Sequence, residues 1–163
     1  MMRSLMSRVL SKIAFFAPGG STLRPWLHRQ RGVKISKGAW ISQLVYIDEA
    51  HPEQIIIKEN SVIGLRTTIF AHLYYYGSGK KERKPGKVVI EKNVYIGPHC
   101  VILPNVTIGE GSVIMAGTIV SKNVPPNVLW GHSNASAVAG VTRPLAVGET
   151  YENFLLGLRK LQK

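Results

Sequence analysis

From Ile90 onward the chain places an aliphatic residue at every sixth position, as Ile90, Ile96, Ile102, Ile108, Ile114 and Val120. Helices repeat every 3.6 residues and ordinary strands every two, so neither accounts for the pattern. Two earlier blocks keep the same phase, Ile35, Ile41 and Ile47, then Ile57, Ile63 and Ile69, with longer gaps between the blocks. Such gaps read as insertions at the corners of a repeating coil. Four residues after most of these positions comes a small or β-branched residue, among them Ala39, Ser61, Thr67, Val94, Cys100 and Thr118. Positions i and i+4 share one face of an extended segment, so both are predicted to point inward. At i+3 stand Gly38, Asn60, Asn93, Asn105, Gly111, Gly117 and Asn123. Gly and Asn accept left-handed backbone, which puts a corner there. Short strands and sharp corners repeated every six residues wind a chain into a prism around stacked aliphatic side chains, an all-β parallel β-helix.

The flanks read differently. In residues 1–16, apolar Leu5, Met6, Val9, Leu10, Ile13 and Phe16 are interspersed with Arg3, Arg8 and Lys12, the pattern of an amphipathic helix. The first expectation is that it packs on the domain or on a partner subunit; the alternative is an interfacial helix lying on anionic lipid. Pro125 and Pro126 lack a ladder donor and are expected to end the regular winding. Between residues 149 and 163, Tyr151, Phe154, Leu155 and Leu158 stand at helical spacing, which predicts a C-terminal helix over the open end or a neighbour. The expected organisation is one domain over 1–163: helix and linker in 1–30, β-helix over 33–131 with a loop insertion over 72–89, and an extension over 141–163.

Charge and cysteine content narrow the partners. Lys and Arg total 21 against 9 Asp and Glu, a formal charge of +12, so an anionic partner is implied: nucleic acid, anionic lipid or a phosphate-rich cofactor. With Cys100 alone there is neither a disulfide framework nor a cysteine zinc site, and a reducing cytosolic compartment is expected, with Cys100 as a small core residue. No stretch reaches the roughly 18 apolar residues of a spanning helix, and no secretory segment follows the basic start.

The segment Val88 to Asn127, VVIEKNVYIGPHCVILPNVTIGEGSVIMAGTIVSKNVPPN, closely resembles the hexapeptide-repeat acyltransferases, most nearly their galactoside and maltose acetyltransferase branch. The resemblance spans residues 35–131 and is most specific in its C-terminal half. It implies a left-handed β-helix with about three hexads per coil, an exception to the right-handed crossover rule. It also implies a homotrimer with acyl-CoA in clefts between neighbouring subunits, and acetyl-CoA as co-substrate.

Acyl transfer needs a base beside the nucleophile and a donor for the developing oxyanion. Histidine is the expected base. Of His28, His51, His72, His99 and His132, His72 closes the last hexad before the largest insertion, which carries Tyr74, Tyr75, Tyr76 and five basic residues. By resemblance, that is where the family's catalytic histidine stands; as a bare corner residue His72 has no role. Ala71-His72-Leu73 here replaces the family's Gly-His-Pro. His99 reads as a corner, and His28 as structural or exposed. Asp48 and Glu49, close to His51, read by default as solvated loop charges; the alternatives are that they hydrogen-bond acceptor hydroxyls or orient a histidine. Tyr74 and Tyr95 are candidate walls for the substrate.

On the cofactor side, Ala116 and Gly117 match the position where the family's backbone approaches the pantetheine arm. Ser121 and Lys122 match its Thr-Lys pair, and Gly131 opens the segment beyond. Pro98 replaces a hydroxyl-bearing position, and His132 to Ser136 lacks the family's basic residue, leaving Arg143 or a neighbouring subunit to meet the terminal phosphate. The sequence thus predicts a cytoplasmic homotrimeric O- or N-acetyltransferase acting on a sugar, with contact at the inner membrane face through residues 1–16 as an option. No metal site or nucleic acid is expected. The alternatives are a basic trimeric scaffold for nucleic acid or anionic membrane, and a γ-type carbonic anhydrase, whose strand pair of histidines at a spacing of five is missing here.

Overall fold

A computed structural model describes residues 2–73, 85–131, 140–142 and 150–160. The chain divides into two compact units, Met1–Gly131 and His132–Lys163. In the first, helices α1 (Met2–Phe16) and α2 (Leu23–Gln30) precede a parallel β-helix. Its first face stacks β1 (Lys34–Ile35), β4 (Ile55–Ile57), β7 (Val88–Ile90) and β10 (Thr107–Ile108). The second stacks β2 (Trp40–Ile41), β5 (Val62–Ile63), β8 (Tyr95–Ile96), β11 (Val113–Ile114) and β13 (Leu129–Trp130). The third stacks β3 (Tyr46–Ile47), β6 (Thr68–Ile69), β9 (Val101–Ile102) and β12 (Ile119–Val120).

The register explains the six-residue period. Ile41, Ile63, Ile96 and Ile114 lie directly over one another on the second face, and Ile47, Ile69, Ile102 and Val120 do so on the third. All eight are fully buried. Because each strand in these two columns points one such residue inward, the core is a set of aliphatic columns, closed between them by Ala39, Val45, Ser61, Thr67, Val94, Cys100 and Thr118. Cys100 is a small core residue, its Sγ 3.1 Å from the Met115 carbonyl. At the corners Gly38, Asn60, Asn93, Asn105, Gly111 and Gly117 have positive φ, and so do Leu44, Arg66 and His99 at the equivalent position. Asn123 and His72 do not.

Three expectations are corrected. The winding continues past Pro125 and Pro126: Val124 bridges to Ile108, and β13 pairs with β11. In each earlier coil the N–H at that corner donates to the next coil, as Glu91 does to Ile108 and Gly109 to Val124. Among the described residues no further strand stacks on the first face past Val124 to accept such a bond, so proline wastes no donor. At the other end α1 does form, but it packs by Ser7, Ser11 and Ala14 while Leu5, Met6, Val9, Ile13 and Phe16 are exposed. In the second unit the C-terminal helix is short. α3 (Tyr151–Leu156) gives way to β15 (Leu158–Arg159), which pairs antiparallel with β14 (Gly140–Val141).

Candidate functional site

The two interruptions of the repeat meet on one edge of the prism. Both leave the third face after its inward aliphatic residue, Ile47 in the first coil and Ile69 in the second, and coil stacking sets one exit above the other. The N–H of Asp48 donates to the Ile69 carbonyl, that of Phe70 to Ile102 and that of Leu103 to Val120. Asp48, Phe70, Leu103 and Ser121 therefore form one column along the edge between the third and first faces.

Asp48 is fully buried. One carboxylate oxygen, Oδ1, accepts the N–H groups of Ala50 (2.9 Å) and His51 (3.0 Å). The other, Oδ2, accepts those of Ala71 (2.8 Å) and His72 (3.1 Å), and lies 2.6 Å from His72 Nδ1. Burial by itself raises the carboxyl; the N–H groups of His51 and Ala71 and the His72 ring outweigh it and hold Asp48 below the usual carboxylate range. An ionised Asp48 accepts from Nδ1–H, which puts the neutral ring's acceptor on Nε2. The ring is only 16% exposed and stands edge-on to His51 at 5.4 Å. Both oxygens of Asp48 are turned inward, so it is not a solvated loop charge, and the structure sets it against a histidine, His72.

Arg31 secures the same turn from behind. Its guanidinium is buried and donates to the carbonyls of Ile47 (3.0 Å) and Asp48 (2.7 Å) and to His28 Nδ1 (2.8 Å). Sequence reasoning passed over Arg31, since nothing distinguishes it from other basic residues of the linker. His28 is buried rather than exposed, and its desolvation, with Arg31 and Arg24 nearby, lowers its pKa to about 3.

Glu49, one residue on, is partly buried, pairs with Lys12 Nζ at 3.1 Å and lines an open cavity of about 720 Å³ with Ser11, Phe15, Phe16, Tyr46, Arg66 and Thr68. The remaining predicted residues are not gathered there. Ser121 and Lys122 lie on the same edge, two coils further along, with Lys122 Nζ 5.5 Å from the Trp130 ring centroid. Ala116, Gly117 and Gly131 are exposed on the other edge of the third face, where it meets the second. Gly117 has φ 73° and open space where a side chain would stand. His99 is a corner on this edge as well, with φ 58°. Tyr95 sits half exposed on the outer side of the second face between Val62 and Val113. Tyr74, His132 and Arg143 fall outside the described residues.

Comparison with known proteins agrees with this architecture. A model of the family described as bacterial transferase hexapeptide (six repeats) matches residues 87–122. "Putative acetyltransferase YvoF" of Bacillus subtilis is 39% identical over 110 residues, 67% of this chain and 62% of that protein. The galactoside O-acetyltransferase of Escherichia coli is 60% identical over 42 residues, 26% of this chain and 21% of that one. The chain thus spans less than two thirds of these relatives' length. Among solved structures, a hexapeptide-repeat acetyltransferase of Vibrio cholerae superposes with a TM-score of 0.63 at 21% identity, over 83% of this chain and 90% of that one. A galactoside acetyltransferase in complex with coenzyme A gives 0.51 at 27% identity, over 78% and 75%. Repeat, register and relatives together show a hexapeptide-repeat chain on a left-handed parallel β-helix, similar to the hexapeptide-repeat acetyltransferases.

Proposed function

We propose that this protein transfers an acetyl group from acetyl-CoA to a hydroxyl or amine, with His72 as general base. The observation that carries the proposal is the buried Asp48 carboxylate 2.6 Å from His72 Nδ1, because a histidine so held keeps one tautomer and gains an anion to stabilise its protonated form. His72 takes the proton from the acceptor as its oxygen or nitrogen attacks the thioester carbonyl. The tetrahedral intermediate then expels sulfur, the C–S bond breaks, and the proton on His72 passes to the thiolate to give CoA thiol. The relatives' names, acetyltransferases throughout, support the same chemistry.

The acceptor is a sugar or sugar-containing molecule entering the cavity beside α1, where Glu49 and Tyr46 offer polar groups above the apolar rings of Phe15 and Phe16. The open edge at Ala116 and Gly117 suits the narrow pantetheine arm, since no side chain obstructs it. That edge and His72 lie on opposite sides of the third face, on the order of 15 Å apart for a strand and corner of this length. One chain alone does not bring them to a common point. Two copies packed side by side do, which supports a homotrimer with each site shared between neighbours. The test is thiol release from acetyl-CoA across a panel of sugars, amino sugars and amines: turnover with one of them is expected, and absence of turnover with all of them defeats the proposal.

A further inference from the structure

Helix α1 is turned inside out relative to an ordinary surface helix. It seats its small side against α2 and the start of the β-helix: Ser7, Ser11 and Ala14 are buried, Ala14 in a cluster with Leu27 of α2 and partly buried Leu10. Ser7 Oγ donates to the Glu49 carbonyl at 3.3 Å, and the Leu44 N–H donates to the Phe15 carbonyl at 2.9 Å. Its large apolar residues face away. Leu5, Met6, Val9, Ile13 and Phe16 are each 50–70% exposed, and at helical spacing they fall within an arc of about 100°. The stripe is bordered by Arg8 and Lys12, both exposed, and the helix contains no acidic residue.

An outward apolar stripe must be covered or remain in water at a cost that grows with its area. The charge on the helix selects what covers it. A second copy docking by the same stripe would set Arg8 and Lys12 against their own counterparts with no acidic residue on the helix to offset them, and like charges oppose that contact. An anionic bilayer offers the complement to both features, an acyl boundary for the stripe and phosphate headgroups for the bordering cations. No described helix is long and apolar enough to cross a membrane. We propose that α1 is a membrane-surface anchor that lies in the plane of an anionic bilayer and holds the protein there. This does not depend on the catalytic reading.

The test is flotation of the full chain with vesicles of phosphatidylcholine alone, and with vesicles in which about a third is phosphatidylglycerol. Wild type should float with the anionic vesicles and be released as salt rises. The Val9→Glu/Ile13→Glu variant alters only exposed positions, so its thermal midpoint should match wild type while its vesicle-bound fraction falls at least about tenfold. The proposal is overturned if wild type stays in the soluble fraction with anionic vesicles, or if it binds neutral vesicles equally well. It is overturned equally if the variant floats like wild type, or if wild type instead self-associates through a contact that the variant abolishes.

Discussion

Asp48 combines complete burial with a charge, and such a group persists only where hydrogen bonds replace the water it has lost. Four backbone N–H groups and the His72 ring do so here. Asp48→Asn removes the charge and sets amide hydrogens against backbone donors. Thiol release should fall by about 10²-fold or more with little change in KM for acetyl-CoA, alongside a loss of about 1–3 kcal/mol of stability from the unsatisfied donors. A purely structural Asp48 would instead leave kcat of the folded fraction unchanged. The sequence brought Asp48 near a histidine but left its role open, because the partner lies 24 positions away across an insertion that no six-residue count spans. His72 was legible as the residue at which the repeat breaks. Glu49, alike in chemistry, differs in pairing with Lys12 rather than with a histidine, a distinction made by the local turn.

At the scale of elements, periodicity read the strands and corners well because each coil repeats the same local demand. It read the helices less well. Amphipathicity located α1 but not which side packs, since α1 lies chiefly along α2, where Ala14 meets Leu27, and Ser7 and Ser11 are buried beside it. The prolines misled for a related reason, because a missing donor matters only where an acceptor waits. Helix α2 carries a consequence for pH. His28 accepts from Arg31 at Nδ1, so its proton is on Nε2, which is buried with no partner among the described residues. Its folded pKa of about 3 lies below the roughly 6.5 of an unfolded histidine. The unfolded chain therefore binds the proton first, and His28's contribution is complete above about pH 6.5 and declines toward pH 3 by roughly 1.4 kcal/mol per unit. Asp48, held low, stays ionised through most of that window. Denaturation midpoints should drop between pH 6.5 and 4, and His28→Asn, which keeps an acceptor for Arg31, should flatten that dependence; an equally steep variant would refute it.

At the scale of the molecule, the prism sets two kinds of candidate residue on two edges of one face, His72 on one and Ala116 and Gly117 on the other. The spacing of the repeat places each residue on its edge, but only the stacked register reveals that a single chain keeps them apart. If neighbours share each site, Ala116→Trp, which blocks the open edge, and His72→Ala should complement one another. Mixed assemblies formed by co-expression should regain about a quarter of wild-type activity under random assortment, while each variant alone stays inactive. Mixtures no better than their parts would confine the site to one chain. The measurement that bears most directly on the account is CoA thiol release with the best acceptor, wild type against a folded His72→Ala. Removal of the base should lower kcat by roughly 10²–10⁴-fold while acetyl-CoA still binds, and a variant that turns over at the wild-type rate would contradict the assignment of His72 as the base.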